Sequence, residues 1–487
     1  MSLPSVQFVT AEKDSIGMVG IFDRHQVMID GLRGKTVSVI GLGKSGIAAA
    51  KLLDVLGTNV RLVDQKMETE LSSEIRALGM PLFGGDRFAE GLHGSDLLVL
   101  SPGVSPSLDS IEEVRTKGVS VIGELELASW FLPMPLVAVT GTNGKSTAVT
   151  IMGRIFEESG RSAFVGGNLD IPLSEAALTV YNHVEGSPEG RCPYDYAVVE
   201  VSSFQLETID RFHPSIAVLL NITSDHLDRH ITFGDYVLAK GRVFENQGPE
   251  DFAVLNVDDN QLIPLHDSVR GIFVGFSMKE QLRSGVFLEG SMIMASINGQ
   301  TYEVMPIDEI QLLGPHNVAN VLAAVAVGLL CECPIRAIRQ AVRSYKGREH
   351  ALEIVRIRKG AMFVNDSKGT NVDATIKALE SFTQPVVIIL GGKDKGSDFF
   401  QLRDALKEHA KSIVLIGEAT ESIARAVADC GKIQRANSLK RAVELAERYA
   451  NSGEVVLLSP ACASFDMFRD YRDRGQQFRD LVNALPT

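Results

Sequence analysis

The chain alternates short, continuous apolar runs with longer stretches of helical periodicity. Thr36 to Ile40 (TVSVI) is β-branched and stops at Gly41, after which IAAAKLLDVL sets apolar residues at helical spacing. A second run, NVRLVD, ends at Asp64, and a third, DLLVL, enters Ser101-Pro102-Gly103. Strand, glycine turn and helix in that order predict a doubly wound α/β domain. Around Pro133 and Pro135 the helical ELELASWF gives way to a new strand, LVAVT, and a second glycine-rich turn at Gly141. YAVVEVSS, SIAVLLNIT and FAVLNVDD follow as buried strands of a mostly parallel sheet. Beyond the helical NVANVLAAVAVGLL and IRAIRQAVRSY, the linker KGREH leads to MFVND, VVIILGG, SIVLIG and EVVLLSP, the strands of a third α/β unit. The expected division is an extension at 1–30, a first domain at 31–132, a central one at 133–346 and a third at 347–487.

Length agrees with several domains, since 487 residues exceed what one core usually organises. With 45% hydrophobic and 22% charged residues the chain can bury substantial cores. A formal net charge of −13 supplies no basic excess for a nucleic-acid groove, although a local phosphate pocket is compatible with it. The five cysteines form no disulfide framework, and Cys331 and Cys333 lack zinc-site spacing, so they read as reduced thiols. No signal-peptide pattern opens the chain and no stretch approaches the ~20 apolar residues of a membrane span, so a cytoplasmic location is expected.

The strongest chemical signal is Thr140-Gly141-Thr142-Asn143-Gly144-Lys145-Ser146-Thr147, set between the strand LVAVT and a helix beginning near Ser146. Backbone N–H groups of such a loop cradle phosphate, Lys145 reaches the β/γ-phosphates, and the Ser146 hydroxyl can hold Mg2+. Val139 stands where the first glycine of G-x-x-x-x-G-K-[ST] would fall. Glu200, at the end of YAVVE, points into a ligand crevice or lies at the surface. His226, in the polar stretch from Asn221 to His230, is a ligand if it faces that crevice and a structural histidine otherwise. Lys240 reads by composition as a solvated helix lysine. Gly41-Leu42-Gly43-Lys44-Ser45-Gly46 followed by Asp64 has the form of a dinucleotide fingerprint.

The loop variant T-G-T-N-G-K-S-T resembles that of the Mur ligases and folylpolyglutamate synthases. Gly166-Gly167-Asn168, GPHNVAN from Gly314 to Asn320, NDSKGTN from Asn365 to Asn371 and LSPACASFD from Leu458 to Asp466 extend the resemblance to the Mur ligases over nearly the whole chain from about residue 35. It implies a Rossmann-like UDP-binding domain, a central phosphate-loop ATPase domain and a Rossmann-like amino-acid-binding domain. The activity implied is ATP-dependent ligation of a carboxylate to an amine through an acyl phosphate. NDSKGTN and LSPACASFD look like the D-glutamate-adding branch, and no D-N-P-R stretch of the diaminopimelate-adding branch is found. The partners implied are UDP-N-acetylmuramoyl-L-alanine and D-glutamate, the cofactors ATP and two Mg2+, and the state a monomer.

By the same resemblance Gly43, Lys44, Ser45, Asp64, Gln65, Ser101, Pro102 and Gly103 would hold the UDP moiety, and Asn168 the muramoyl-alanyl end. Gly141, Thr142, Asn143, Gly144, Lys145, Ser146 and Thr147 would take the ATP phosphates, Asn317 and Asn320 the adenine, Asp366 the ribose, and Lys368 would assist at the phosphates. Thr370, Lys395, Ser464, Phe465 and Tyr471 would bind D-glutamate. Lys145, Glu200, His226 and Lys240 would be catalytic, with Ser146, Glu200, His226 and a carbamylated Lys240 holding the metal. Three features depart from the family pattern. Ala351 follows His350 where an arginine is common, so that either nearby Arg348 replaces it or nucleotide affinity is lower. Tyr471 stands in for a phenylalanine, and 183–193 reads as an inserted surface loop.

Overall fold

Valine- and isoleucine-rich runs pair as parallel strands when helices carry the chain back along the sheet, and the described residues of this chain form three such sheets. The computed structural model describes residues 27–186, 191–223, 225, 229, 230, 232–297 and 299–486. His226 and most of the N-terminal arm lie outside the described residues. Residues 27–32 are helical, so the extension expected at 1–30 ends inside a helix rather than before the first element. Residues 183–186 close the Leu173–Gly186 helix, which shortens the loop expected there.

The first sheet has the order β3-β2-β1-β4-β5, built from β1 (Thr36–Ile40), β2 (Asn59–Asp64), β3 (Leu82–Gly84), β4 (Leu97–Leu100) and β5 (Ser120–Gly123), all parallel. The chain leaves β1 toward β2 on one side and reaches β4 on the other, which opens a crevice beyond their carboxyl ends. The Lys44–Val55 helix packs close to this turn because residue 46 is glycine: a Cβ there would lie 2.0 Å from the Gly41 carbonyl oxygen.

The second sheet contains β6 (Leu136–Thr140), β7 (Ala163–Gly167), β8 (Tyr196–Glu200), β9 (Ile216–Leu219), β10 (Phe252–Asn256), β11 (Ile272–Ser277), β12 (Gly285–Glu289), β13 (Met292–Ile297) and β14 (Gln300–Pro306). Its order is β14-β13-β12-β11-β10-β9-β6-β8-β7. β12, β13 and β14 pair antiparallel in succession at one edge, and this meander is not apparent from the hydrophobic pattern. The Pro315–Leu330 helix, apolar on most of its surface, and the Lys145–Glu158 helix cover one face through Ala324, Val325, Met152 and Ile155. On the other face a continuous apolar cluster runs from Val39 and Leu53 of the first unit to Ala138 and Leu219 of the second.

The third sheet has the order β15-β16-β20-β17-β18-β19: β15 (Glu353–Arg358), β16 (Ala361–Asn365), β17 (Val386–Gly391), β18 (Ala410–Ile416), β19 (Lys432–Arg435) and β20 (Val455–Leu458), with β15 an antiparallel edge. Its apolar clusters are separate from those of the other two sheets apart from Leu313, which packs at their margin. Among the described residues no helix is long and apolar enough to cross a membrane.

Candidate active site between the second and third sheets

β6 ends at Thr140, and the chain turns through Gly144 in the left-handed region, at φ 85°, into the helix starting at Lys145. Among the described residues no side chain caps that helix, which leaves its first N–H groups and its positive end available to an anion. The loop is fixed from β9: Asn221 accepts the Thr142 N–H on its carbonyl and the Asn143 N–H on its side chain, both at 2.9 Å. Lys145 Nζ donates to the carbonyls of Gly141 and Thr142 at 2.8 and 2.7 Å. Burial lowers its amine pKa, against the pull of Glu200 and Asp225.

Glu200 is buried at the end of β8, between β7 and β6, and so is not a surface carboxylate. It accepts from Ser146 Oγ at 2.6 Å and from Asn168 Nδ2 at 2.9 Å. Burial alone would raise its pKa, but Lys145, Lys368 and these two hydrogen bonds together hold it below the ordinary carboxylate value. Ser146 Oγ also accepts from Lys368 Nζ, which reaches across from the third sheet at 2.7 Å. Burial brings the Lys368 amine down to about 8.

Lys240 overturns the compositional reading of a solvated lysine. Thr232 and Asp235 form a capping box that starts the Phe233–Gly241 helix, and the Lys240 side chain, only 2% exposed, points inward to donate to the Gly141 carbonyl at 2.8 Å. Burial pushes its amine well below the ordinary lysine value, and the nearby charge of Lys145 pushes it further. A lysine in this setting is readily neutral, and a neutral amine is nucleophilic.

The opposite wall comes from the loop after β16 and from the Tyr471–Asn483 helix. Between the walls lies a cleft of about 310 Å³, lined by Thr142 to Thr147, Asn168 and Glu200 on one side and by Asp366, Lys368, Thr370 and Tyr471 on the other. Asn317 and Asn320, at the start of the Pro315–Leu330 helix, complete it. Asp366 is buried, which raises its carboxyl to about 7, although Ser459 Oγ donates to it at 2.7 Å and the Leu352 N–H at 3.2 Å. Arg348 lines the cleft beside Ala351, and Asp170 binds both it, at 2.9 Å, and Arg472.

Several residues here escape sequence reading. Asp225 accepts from Asn371 Nδ2 at 2.9 Å and Asp373 accepts from Asn143 Nδ2 at 2.7 Å, while Asn371 Nδ2 also donates to Asn143 Oδ1 at 3.5 Å, so the NDSKGTN loop is tied to the phosphate loop. Fully buried Arg474 donates to the Ser367 and Cys462 carbonyls at 2.8 and 3.1 Å, stapling the loops after β16 and β20. Its signal was an arginine on the apolar stripe that Phe478 and Val482 define on the Tyr471–Asn483 helix.

Of the expected D-glutamate residues, Thr370 and Tyr471 line the cleft, whereas Lys395, Ser464 and Phe465 do not. Lys395 and Phe465 are exposed and Ser464 is buried. Their loops follow β17 and β20 and meet where the Lys393 and Ala463 backbones exchange hydrogen bonds of 2.8 and 3.1 Å.

The eight residues expected at the UDP moiety all line one separate pocket of about 420 Å³ at the end of the first sheet, while Asn168 belongs to the cleft. Asp64 accepts the Leu42 N–H at 2.8 Å and the Lys66 N–H at 2.9 Å, so each of its oxygens helps organise the turn. Among the described residues no three or more His, Cys, Asp or Glu side chains converge as a metal cluster. A hard cation at the phosphate loop would therefore draw on Ser146 Oγ and Glu200, an oxygen pair suited to Mg2+ when phosphate oxygens fill the remaining positions.

Comparison with known proteins places these features together. Residues 35–123 match the Mur ligase MurD-like N-terminal domain, 139–328 the Mur ligase middle domain and 352–462 the Mur ligase glutamate ligase domain. The UDP-N-acetylmuramoylalanine–D-glutamate ligase of Koribacter versatilis is 44% identical over 457 residues, covering 93% of this chain and 98% of that protein. That of Pelotomaculum thermopropionicum is 44% identical over 456 residues, with the same coverage. In fold the chain is similar to a pseudomurein peptide ligase type C from Methanothermus fervidus (TM-score 0.59, 18% identity, 93% of this chain and 100% of that one). It is also similar to the UDP-N-acetylmuramate-alanine ligase of Thermotoga maritima (TM-score 0.56, 18% identity, the same coverage).

Proposed function

The chain belongs to the Mur ligase family, and on that premise we infer that it is the ATP-dependent ligase adding D-glutamate to UDP-N-acetylmuramoyl-L-alanine in peptidoglycan precursor synthesis. One observation carries the reading of its chemistry: the Glu200 carboxylate, hydrogen-bonded to Ser146 in the first turn of the phosphate-loop helix, faces a lysine delivered by the third sheet. ATP phosphates at the uncapped helix end would draw Lys145 off the carbonyls it now holds. The alanine carboxylate of the acceptor then attacks the γ-phosphorus and ADP leaves, giving an acyl phosphate. The D-glutamate amine adds to the acyl carbon, loses a proton, and the tetrahedral adduct expels phosphate.

We assign the pocket of the first sheet to the UDP moiety, Asn168 to the acceptor's alanyl end, Asn317 and Asn320 to adenine, Asp366 to ribose and Lys368 to phosphate. The third unit takes D-glutamate through Thr370 and Tyr471, with Lys395, Ser464 and Phe465 joining from the adjoining loops. Mg2+ held by Ser146 and Glu200, and a second ion with His226 and a carbamylated Lys240, would neutralise charge on the phosphoryl oxygens. Two features support carbamylation: Lys240 is buried, and its amine is driven toward the neutral form that adds to CO2 with loss of a proton. We take the domains to divide at 31–132, 133–346 and 347–487, a reading that the three separate sheets support, and we take the enzyme to be a cytoplasmic monomer. Closure of the third unit over the cleft would keep water from the acyl phosphate.

Phosphate release from ATP in the presence of UDP-N-acetylmuramoyl-L-alanine, with D-glutamate, L-glutamate, L-alanine, L-lysine or diaminopimelate offered in turn, tests the assignment. Stimulation by D-glutamate alone is expected. Stimulation by another amine with D-glutamate inert would overturn it.

A further inference from the structure

The hydroxyl of Ser146 is engaged from two sides. It donates its one proton to Glu200 Oε2 at 2.6 Å and accepts from the Lys368 ammonium at 2.7 Å. Asn168 takes the other Glu200 oxygen. Lys368 does not reach this place by chance orientation of a surface side chain. Its backbone N–H donates to the His350 carbonyl at 2.9 Å, while Arg474 and the Tyr471 carbonyl hold the preceding Ser367 at 2.8 Å each. A braced loop of the third sheet thus delivers a cation to the oxygen pair that the phosphate loop offers.

We propose that Lys368 is a stand-in cation that suppresses metal binding at Ser146 and Glu200 until nucleotide phosphate arrives; this rests on the reading of that pair as metal ligands. A divalent ion and an ammonium cannot share one hydroxyl at ligand distances without strong repulsion. Phosphate oxygens resolve the conflict, because they offer the ammonium a new partner and leave the Ser146 lone pairs to the metal. Metal and nucleotide therefore load together, and Lys368 passes from Ser146 to phosphate in the same event. The apparent affinity for metal alone is lowered by the fraction of molecules in which Lys368 occupies the pair.

The test is Mn2+ titration of the full chain without nucleotide, followed by electron paramagnetic resonance of free Mn2+. Lys368→Met is expected to bind Mn2+ about tenfold more tightly than wild type, and Lys368→Arg, which keeps the charge, to match wild type. Lys368→Gln replaces the methionine variant if that protein does not fold. Adding Glu200→Gln to Lys368→Met should abolish the gain. Where Glu200→Gln alone weakens Mn2+ binding, a neutral variant no tighter than wild type, or an arginine variant as tight as the neutral one, would overturn the stand-in role alone; a neutral variant no tighter with Glu200→Gln also without effect would overturn the metal-site reading as well. A gain that survives Glu200→Gln would place the Mn2+ elsewhere and overturn the metal-site reading with it.

Discussion

The pocket of the first sheet and the cleft between the second and third are both built beyond the carboxyl ends of parallel strands, but they are held differently. The pocket draws its lining from residues 40 to 104 of one sheet, and backbone groups do most of its work, as where Asp64 holds the Leu42 N–H and Ser101 Oγ donates to the Gly41 carbonyl at 2.5 Å. The cleft takes residues from 142 to 471, on sheets whose cores are largely separate, and buries charged side chains that satisfy one another. A pocket of the first kind is stable without its ligand. A cleft of the second kind must exchange internal partners for substrate, so its chemistry is tied to the position of the third unit.

Lys145→Ala should separate the two regions most sharply. D-glutamate-dependent phosphate release is expected to fall by about 10³-fold, since a charge aimed at the transferred phosphoryl group is lost. Calorimetric binding of UDP-N-acetylmuramoyl-L-alanine should persist, and its loss would show the pocket to depend on the cleft.

The seam between the regions carries the next effect. Glu124 opens the Glu124–Ser129 helix after β5, is buried, and takes the Ser174 N–H at 2.7 Å on one oxygen while the other has no hydrogen-bond partner among the described residues. Burial raises its carboxyl to about 7 from 4.5. Between those values the folded chain holds a proton that the unfolded chain has released, so the stabilisation present below the lower value is lost as pH rises through the upper one. Glu124→Gln cannot titrate. Its stability relative to wild type, from denaturant unfolding, should increase between about pH 4 and pH 8 by on the order of 3 kcal/mol. A flat difference would mean Glu124 is ionised in the folded chain.

Gly46→Ala tests the pocket in the other direction. Its Cβ would meet the Gly41 carbonyl at 2.0 Å, which forces the helix off the strand at a cost of about 1–3 kcal/mol. UDP-substrate affinity should drop while ATP binding is kept; weakened ATP binding would show that strain crosses the seam.

Much of the fold is legible because its strands are continuous apolar runs ended by glycine or polar residues, and the phosphate loop and first pocket are legible because each motif is local in sequence. The β12–β14 meander and the β15 edge were not, since half-exposed strands such as Glu353–Arg358 carry a weak apolar signal. Lys240 was misread by composition for a related reason: helix periodicity says which residues share a face but not what that face meets. Sequence by itself determined the three α/β units and the phosphate loop, which rest on neighbouring residues, and family resemblance picked out the lining of the first pocket. Only the tertiary structure decided that Lys240 is buried against Gly141, that Arg474 staples two loops, and that Lys368 stands on Ser146. Those pairings join residues 99 or 222 apart in the two lysine cases, and burial and charge at such contacts are set by how the sheets pack.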